Sequence, residues 1–222
     1  MKVVSLFSGC GGLDLGFKKA GFNFIWANEF DKSIHKTFKK NFPKTFLDTR
    51  SIIEIDPKEI PDCDGIIGGP PCQSWSEAGA LRGINDSRGQ LFFDYVRFIK
   101  EKRPKFFLAE NVSGILFSRH SRALETIFNH FLEIGYNVSF QLLNTRDYGV
   151  PQTRRRVIIV GYPVSYETHF IPPLPDEERP VLKDAIYHLR NNVVPAKTKN
   201  KPNPEVKVPN HEYMIGKFST MY

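Results

Sequence analysis

Cysteine is scarce in this 222-residue chain, and the three present, Cys10, Cys63 and Cys72, are scattered. An odd, dispersed set is no disulfide framework. With no CxxC pair and no Cys/His cluster at zinc spacing, a structural zinc module is excluded and no metal is expected. Reduced thiols suit the cytosol, and they leave Cys72 free to serve as a nucleophile. No apolar run reaches membrane-spanning length and no basic-then-apolar leader follows Met1, so a soluble intracellular protein without a membrane partner is expected. Internal repeats are absent. So are the GxGxxG dinucleotide fingerprint and the P-loop GK[ST], which weakens nicotinamide and ATPase readings. Acid is the minority charge: 24 Asp and Glu stand against 31 Lys and Arg, a net +7. That balance fits a nucleic-acid partner, although many basic proteins never touch DNA.

What is present is a chain of ordinary globular composition, 41% apolar and 25% charged, long enough to bury a core. From Lys2 to Tyr162, short β-rich runs alternate with helical patterns. Val3–Phe7, Phe24–Asn28, Gly65–Ile67, Phe106–Ala109, Val138–Leu143 and Val157–Val160 read as strands, several of them apolar throughout, as strands buried on both faces are. Phe92, Tyr95, Val96 and Ile99 form a helical stripe that stops before Pro104. Leu124, Ile127, Phe128, Phe131 and Leu132 form another, ended at Gly135. The alternation predicts an α/β fold, Rossmann-like, with a mostly parallel sheet flanked by helices and ligands beyond the carboxyl ends of the strands. Past about residue 165 the sequence turns proline-rich and polar. We therefore expect a catalytic and cofactor-binding domain over 1–165 and a short irregular segment over 166–222.

The first candidate site follows the first strand. Val3–Phe7 runs into Ser8-Gly9-Cys10-Gly11-Gly12, then Leu13-Asp14-Leu15-Gly16-Phe17. Glycines permit a sharp turn and close approach of a ligand, and a helix amino terminus offers free N–H groups. A nucleotide-like cofactor fits there. The second strand ends at Asn28-Glu29-Phe30. Glu29 is placed to accept hydrogen bonds from ribose hydroxyls, Phe30 to stack on an adenine, and Asp48 to bind the adenine amino group. Each acid taken alone is as easily a cap or a surface charge.

The second candidate site is Gly68-Gly69-Pro70-Pro71-Cys72-Gln73, after apolar Ile66-Ile67. Proline stiffens the loop, so the thiol is presented to a partner. A thiolate there can attack an electron-poor carbon, although a buried inert cysteine is the commoner arrangement. Glu110 follows apolar Phe106–Ala109 and should stand at a strand's carboxyl end, partly desolvated, as suits a general acid. Arg154, Arg155 and Arg156 enter the last apolar run, which is costly unless acceptors are close by.

Phe7-Ser8-Gly9-Cys10-Gly11-Gly12-Leu13, Pro70-Pro71-Cys72-Gln73, Glu110-Asn111-Val112 and Gln152-Thr153-Arg154-Arg155-Arg156 occur in the order and spacing of the DNA cytosine-5 methyltransferases. The chain resembles the amino-terminal, catalytic part of that family over about residues 2–162, and more weakly to its end. Asp64–Glu77 and Pro209–Tyr213 resemble the bacterial enzymes that modify GGCC. The resemblance implies a cytoplasmic bacterial restriction-modification enzyme, with S-adenosylmethionine as cofactor and double-stranded DNA as substrate. It implies Cys72 as the nucleophile on carbon 6 of a flipped cytosine and Glu110 as the group that binds the base. It further implies that Asn111 holds a site loop, that Arg154 binds the base carbonyl or orients Cys72, and that Arg156 supports it or a phosphate. Phe7, Gly9, Gly11, Gly12, Leu13, Glu29, Phe30, Asp48, Pro70 and Leu91 would hold the cofactor. Gln73, Ser76, Arg82 and Arg88 would meet DNA as the loop after Cys72 closes. The family's target-recognition region and its late Gly-Asn-x-Val-Pro motif are not found. A complementing carboxyl-terminal polypeptide is therefore expected, with weak cofactor binding and no site-specific methylation by the chain alone. A non-catalytic fragment and a tRNA methyltransferase on the same scaffold are the competing readings.

Overall fold

The computed structural model describes residues 1–71 and 87–191, without the side chains of 87–90 and 119. Seven strands form one sheet: β1 (Lys2–Leu6), β2 (Asn23–Asn28), β3 (Phe46–Asp48), β4 (Gly65–Gly68), β5 (Phe106–Val112), β6 (Tyr136–Asn144) and β7 (Arg155–Pro163). Their spatial order is β3-β2-β1-β4-β5-β7-β6. β3, β2, β1, β4 and β5 run parallel. β7 inserts antiparallel between β5 and β6. The expected mostly parallel α/β sheet is thus present, and its one reversed strand matters for the site.

Among the described residues, five α-helices accompany the sheet: α1 (Gly12–Lys19), α2 (His35–Asn41), α3 (Ser87–Lys102), α4 (Ser121–Glu133) and the short α5 (Leu182–Ile186). Strand alternation divides the core between the two faces of the sheet. Val4, Leu6 and Ile66 join Phe92, Tyr95 and Ile99 of α3 and Ile127 and Phe131 of α4 in the main cluster. Val3, Phe24 and Ile67 face the other way, against Leu13 and Phe17 of α1. The buried Tyr95 hydroxyl donates to the Leu108 carbonyl at 2.8 Å, tying α3 to β5.

Three details depart from the sequence expectations. β1 ends at Leu6, not Phe7, because Phe7 already has a left-handed backbone, φ 54°. β3 was not expected: at three residues it is too short to show a pattern. Leu132 is exposed rather than part of the α4 core stripe, which Leu124, Ile127 and Phe131 complete. Gly135 ends α4 as expected, at φ 87°. Among the described residues, no helix is long and apolar enough to cross a membrane.

Candidate active site

The turn after β1 is built by backbone conformations that side chains rarely adopt. Phe7, Gly9 and Gly11 have φ of 54°, 55° and 83°. A left-handed non-glycine residue is strained and persists where its surroundings over-determine it. Gly11 caps α1, and a Cβ there would run into the Phe42 ring. The result is a tight turn leading straight into a helix amino terminus. Phe7, Ser8, Gly9, Gly12 and Leu13 line a cavity of about 660 Å³ beyond the carboxyl ends of β1 and β4.

The opposite wall of this cavity carries charge. Glu110 comes from β5, Arg154 from the residue just before β7 and Arg156 from its start. The antiparallel pairing sets Val112 against Arg156 and Glu110 against Ile158, so the beginning of β7 meets the end of β5. Arg156 Nε lies 2.7 Å from Glu110 Oε1, and Arg154 reaches the same oxygen at 3.8 Å. Arg156 is thus the nearer cation, and the arginine cluster entering a strand finds the acceptor it needs. Glu110 is 28% exposed, neither sealed in nor free in solvent. A Cβ on Gly69 would stand 3.6 Å from Glu110 Oε2, so this carboxylate borders the Gly69-Pro70-Pro71 loop. The buried Asn111 side chain donates to the Pro70 carbonyl at 3.3 Å and accepts from the Val112 N–H at 2.9 Å. Asn111 therefore holds the proline loop.

A second cavity of about 440 Å³ opens on the other side of Phe7 and Gly69, which both cavities share. Glu29, Phe30 and Leu91 line it, with Asn28, Asp31, Ser51, Ile52 and Pro71. Glu29 stands where β2 ends. Its two oxygens accept from the N–H groups of Gly9 and Asp31, each at 2.8 Å. A carboxylate has about four acceptor positions, so both oxygens keep capacity for further donors. The Phe30 ring is 66% exposed.

The remaining expected positions are placed differently. Gly11 shapes the turn but lines neither cavity. Pro70 is buried, and Pro71 lines the second cavity in its place. Asp48 lines neither cavity, and Arg50 pairs with it at 2.7 Å. Burial alone would raise the Asp48 pKa, but hydrogen bonds and charge from Arg50 hold it below the ordinary carboxylate value. Cys63 is a half-buried thiol whose pKa burial pushes up to about 12, which leaves it protonated and inert at neutral pH. Among the described residues no cluster suits a metal ion. Sequence reasoning missed Ser5 and Asp14, which line the first cavity from β1 and α1, and Thr145, Tyr148 and Val150, which line it from the segment between β6 and β7. An acid in the first turn of a helix looks like ordinary dipole compensation, so nothing in the sequence marked Asp14.

The model of the C-5 cytosine-specific DNA methylases matches residues 1–219. The chain belongs to this family. The chain is 54% identical over its whole length to the Type II methyltransferase M.NgoPII of Neisseria gonorrhoeae and 53% identical to M.FnuDI of Fusobacterium nucleatum. It spans 66% and 65% of those two relatives. Among solved structures it resembles a putative DNA modification methyltransferase encoded within an Escherichia coli prophage, with 34% identity and a TM-score of 0.72, over 84% of this chain and 54% of that one. Five expected site positions, Cys72, Gln73, Ser76, Arg82 and the Arg88 side chain, lie outside the described residues.

Proposed function

We propose that the chain is the catalytic and cofactor-binding part of a DNA cytosine-5 methyltransferase that uses S-adenosylmethionine. Residues 1–165 would form this part, and 166–222 would begin the target-recognition region. One observation carries the reading. Glu110, Arg154 and Arg156 meet across a cavity from the Phe7–Leu13 turn, while Asn111 holds the loop that leads directly into Cys72.

The residues fit the cofactor. Two cavities that share Phe7 and Gly69 in their linings offer room beside the turn, with Glu29 at hand for ribose hydroxyls and Phe30 for an adenine face. Bound there, S-adenosylmethionine supplies an electrophilic methyl group. Carbon 5 of cytosine is a weak nucleophile, and the protein must activate it. The Cys72 thiolate would add to carbon 6, and the ring electrons would move onto carbon 5, which could then take the methyl group as the sulfonium bond breaks and S-adenosylhomocysteine leaves. Glu110 meets ring nitrogen 3 and the amino group as charge builds. Arg156 fixes Glu110, and Arg154 reaches the base carbonyl. Loss of the proton from carbon 5 and of the thiolate from carbon 6 yields 5-methylcytosine. The thiolate attacks the ring face, so the base must leave the stack, at about a few kcal/mol. Gln73, Ser76, Arg82 and Arg88 would contact the DNA, with Ser76 and Arg88 near phosphates.

The finer readings are a GGCC-like target and the need for a carboxyl-terminal part, on this or a second polypeptide, for site-specific methylation. They rest on the sequence resemblance and on the greater length of the relatives. The test is trapping on an oligonucleotide that carries 5-fluorocytosine, which blocks release. A covalent adduct that depends on S-adenosylmethionine and vanishes in Cys72→Ala is the expected result. No adduct with the wild-type chain, alone or complemented by the carboxyl-terminal part of a relative, would overturn the proposal in favour of a non-catalytic fragment.

A further inference from the structure

Positive charge is concentrated away from the candidate site. Lys18, Lys19, Lys32, Lys36, Lys39, Lys40 and Lys44 lie in one stretch whose only acids are Glu29 and Asp31, so most of the net +7 arises there. All seven lysines are exposed. Among the described residues none of them pairs with a carboxylate, whereas Lys102 and Lys105 elsewhere pair with Asp62 and Asp64. Both acids of the stretch are engaged by backbone N–H groups, Glu29 by Gly9 and Asp31, and Asp31 by Ser33.

The fold gathers these lysines on α1 and α2. The two helices meet where a Cβ on Gly11 would strike Phe42 and where Asn41 Nδ2 donates to the Cys10 carbonyl at 3.4 Å. Lys36, Lys39 and Lys40 are spaced i, i+3, i+4 and share one face of α2. Lys18 Nζ lies 5.2 Å from the centre of the Phe42 ring. Lys18 and Lys44 line a groove of about 310 Å³ with Phe22, Phe24 and Phe42, and no acid is among its lining residues. The groove lies where β2 and β3 begin, at the opposite end of the sheet from the catalytic cavity. None of the seven lysines lines either cavity of the candidate site.

Helix dipoles do not account for this placement. A cation in the last turn of a helix is favourable, which covers Lys18, Lys19, Lys39 and Lys40. Lys36 lies in the first turn of α2, where the dipole opposes a cation, and no acid in that turn offsets it. Lys36 and Lys40 also repel each other one turn apart. Such an arrangement is unfavourable in the free protein and favourable once anions lie against it. An acid-free groove with apolar walls focuses the field of its two cations. A regularly spaced polyanion answers both features, and the family acts on DNA. We propose that the lysine face of α2 and the groove between Lys18 and Lys44 form a second surface for duplex DNA, which grips phosphates outside the catalytic cleft. The DNA partner is taken from the reading above. Phosphate contacts carry no sequence information, and they keep the chain on the duplex between encounters with its target.

The test is fluorescence anisotropy of the full 222-residue chain on labelled duplex DNA of arbitrary sequence, across a salt series. Each lysine that meets a phosphate adds about one to the slope of log affinity against log salt. The triple variant Lys36→Gln, Lys39→Gln, Lys40→Gln should lower that slope by about 2 to 3, and the double variant Lys18→Gln, Lys44→Gln by about 2. A control triple, Lys58→Gln, Lys100→Gln, Lys183→Gln, removes the same charge from exposed positions on other elements and should leave the slope within about 0.5 of wild type. The urea midpoint of the α2 triple should equal or exceed that of wild type, since like charges are removed from one helix face. Should that triple fail to fold, the Lys18, Lys44 double variant decides. An unchanged slope in the patch variants, or an equal fall in the control, overturns the surface and leaves the catalytic reading standing. Tighter patch-dependent binding of duplex RNA than of duplex DNA overturns DNA as its partner. A wild-type chain that binds no duplex DNA overturns the surface as well, and adduct formation on 5-fluorocytosine DNA then decides the catalytic reading separately.

Discussion

Asp14 leaves a pH signature in the free protein. Burial pushes its carboxyl up to about 6, only partly offset by the nearby Ser5 hydroxyl and its own backbone. The folded state therefore holds this proton more tightly than the unfolded chain does. Below the unfolded pKa the group is neutral in both states and costs nothing extra. As pH rises through the folded value, the charged form must be kept buried, and stability falls by about 3 kcal/mol. Asp14→Asn removes that dependence. Its denaturation midpoint, compared with wild type by urea titration, should show an advantage that is small near pH 4, grows toward pH 6 and is then constant. A second prediction concerns Glu110. Replacing it with Gln keeps the shape but removes the charge that gathers Arg154 and Arg156. The rate of adduct formation on 5-fluorocytosine DNA should fall about a hundredfold, with S-adenosylhomocysteine binding unchanged by calorimetry.

Elements fix where these groups stand. Gly161 of β7 lies opposite Phe107 of β5, and a Cβ there would strike the Phe107 ring. That ring stacks on Phe131 at 4.3 Å, so it has no room to yield. Gly161→Ala should destabilise the protein by about 1–3 kcal/mol, read as a lower urea midpoint. Strands and long helices were legible in the sequence because each carries a repeating apolar pattern. The α3 stripe of Phe92, Tyr95, Val96 and Ile99 is buried as expected. The reversed direction of β7 was not legible, because alternation along a strand is the same whichever way the chain runs. The exposure of Leu132 was not legible either: it falls at the margin of the α4 stripe, where a few degrees of helix rotation decide between core and solvent.

Across the whole molecule, the candidate site is an assembly of segments distant in sequence. The glycine turn, the proline loop and the end of β5 were legible as pieces, since glycine, proline and a lone acid after an apolar run each leave a local mark. Asp14 and the Asp48–Arg50 pair were not, because a residue's partner is decided by packing, not by its neighbours in the chain. The net charge of +7 belongs to this scale as well. Binding to duplex DNA of arbitrary sequence should weaken steeply with added salt, since bound phosphates release counterions; fluorescence anisotropy across a salt series checks this, and a flat response would argue against a phosphate-contacting surface. A strand's side chains alternate between faces, so sliding β7 past β5 by a single residue would turn Arg156 away from Glu110 and bring Val157 toward solvent. Core and chemistry share one alignment here: an insertion or deletion in β7 that spoiled the reaction would also expose oil to water, so selection for a folded chain guards this arginine even where its reaction is under no selection at all.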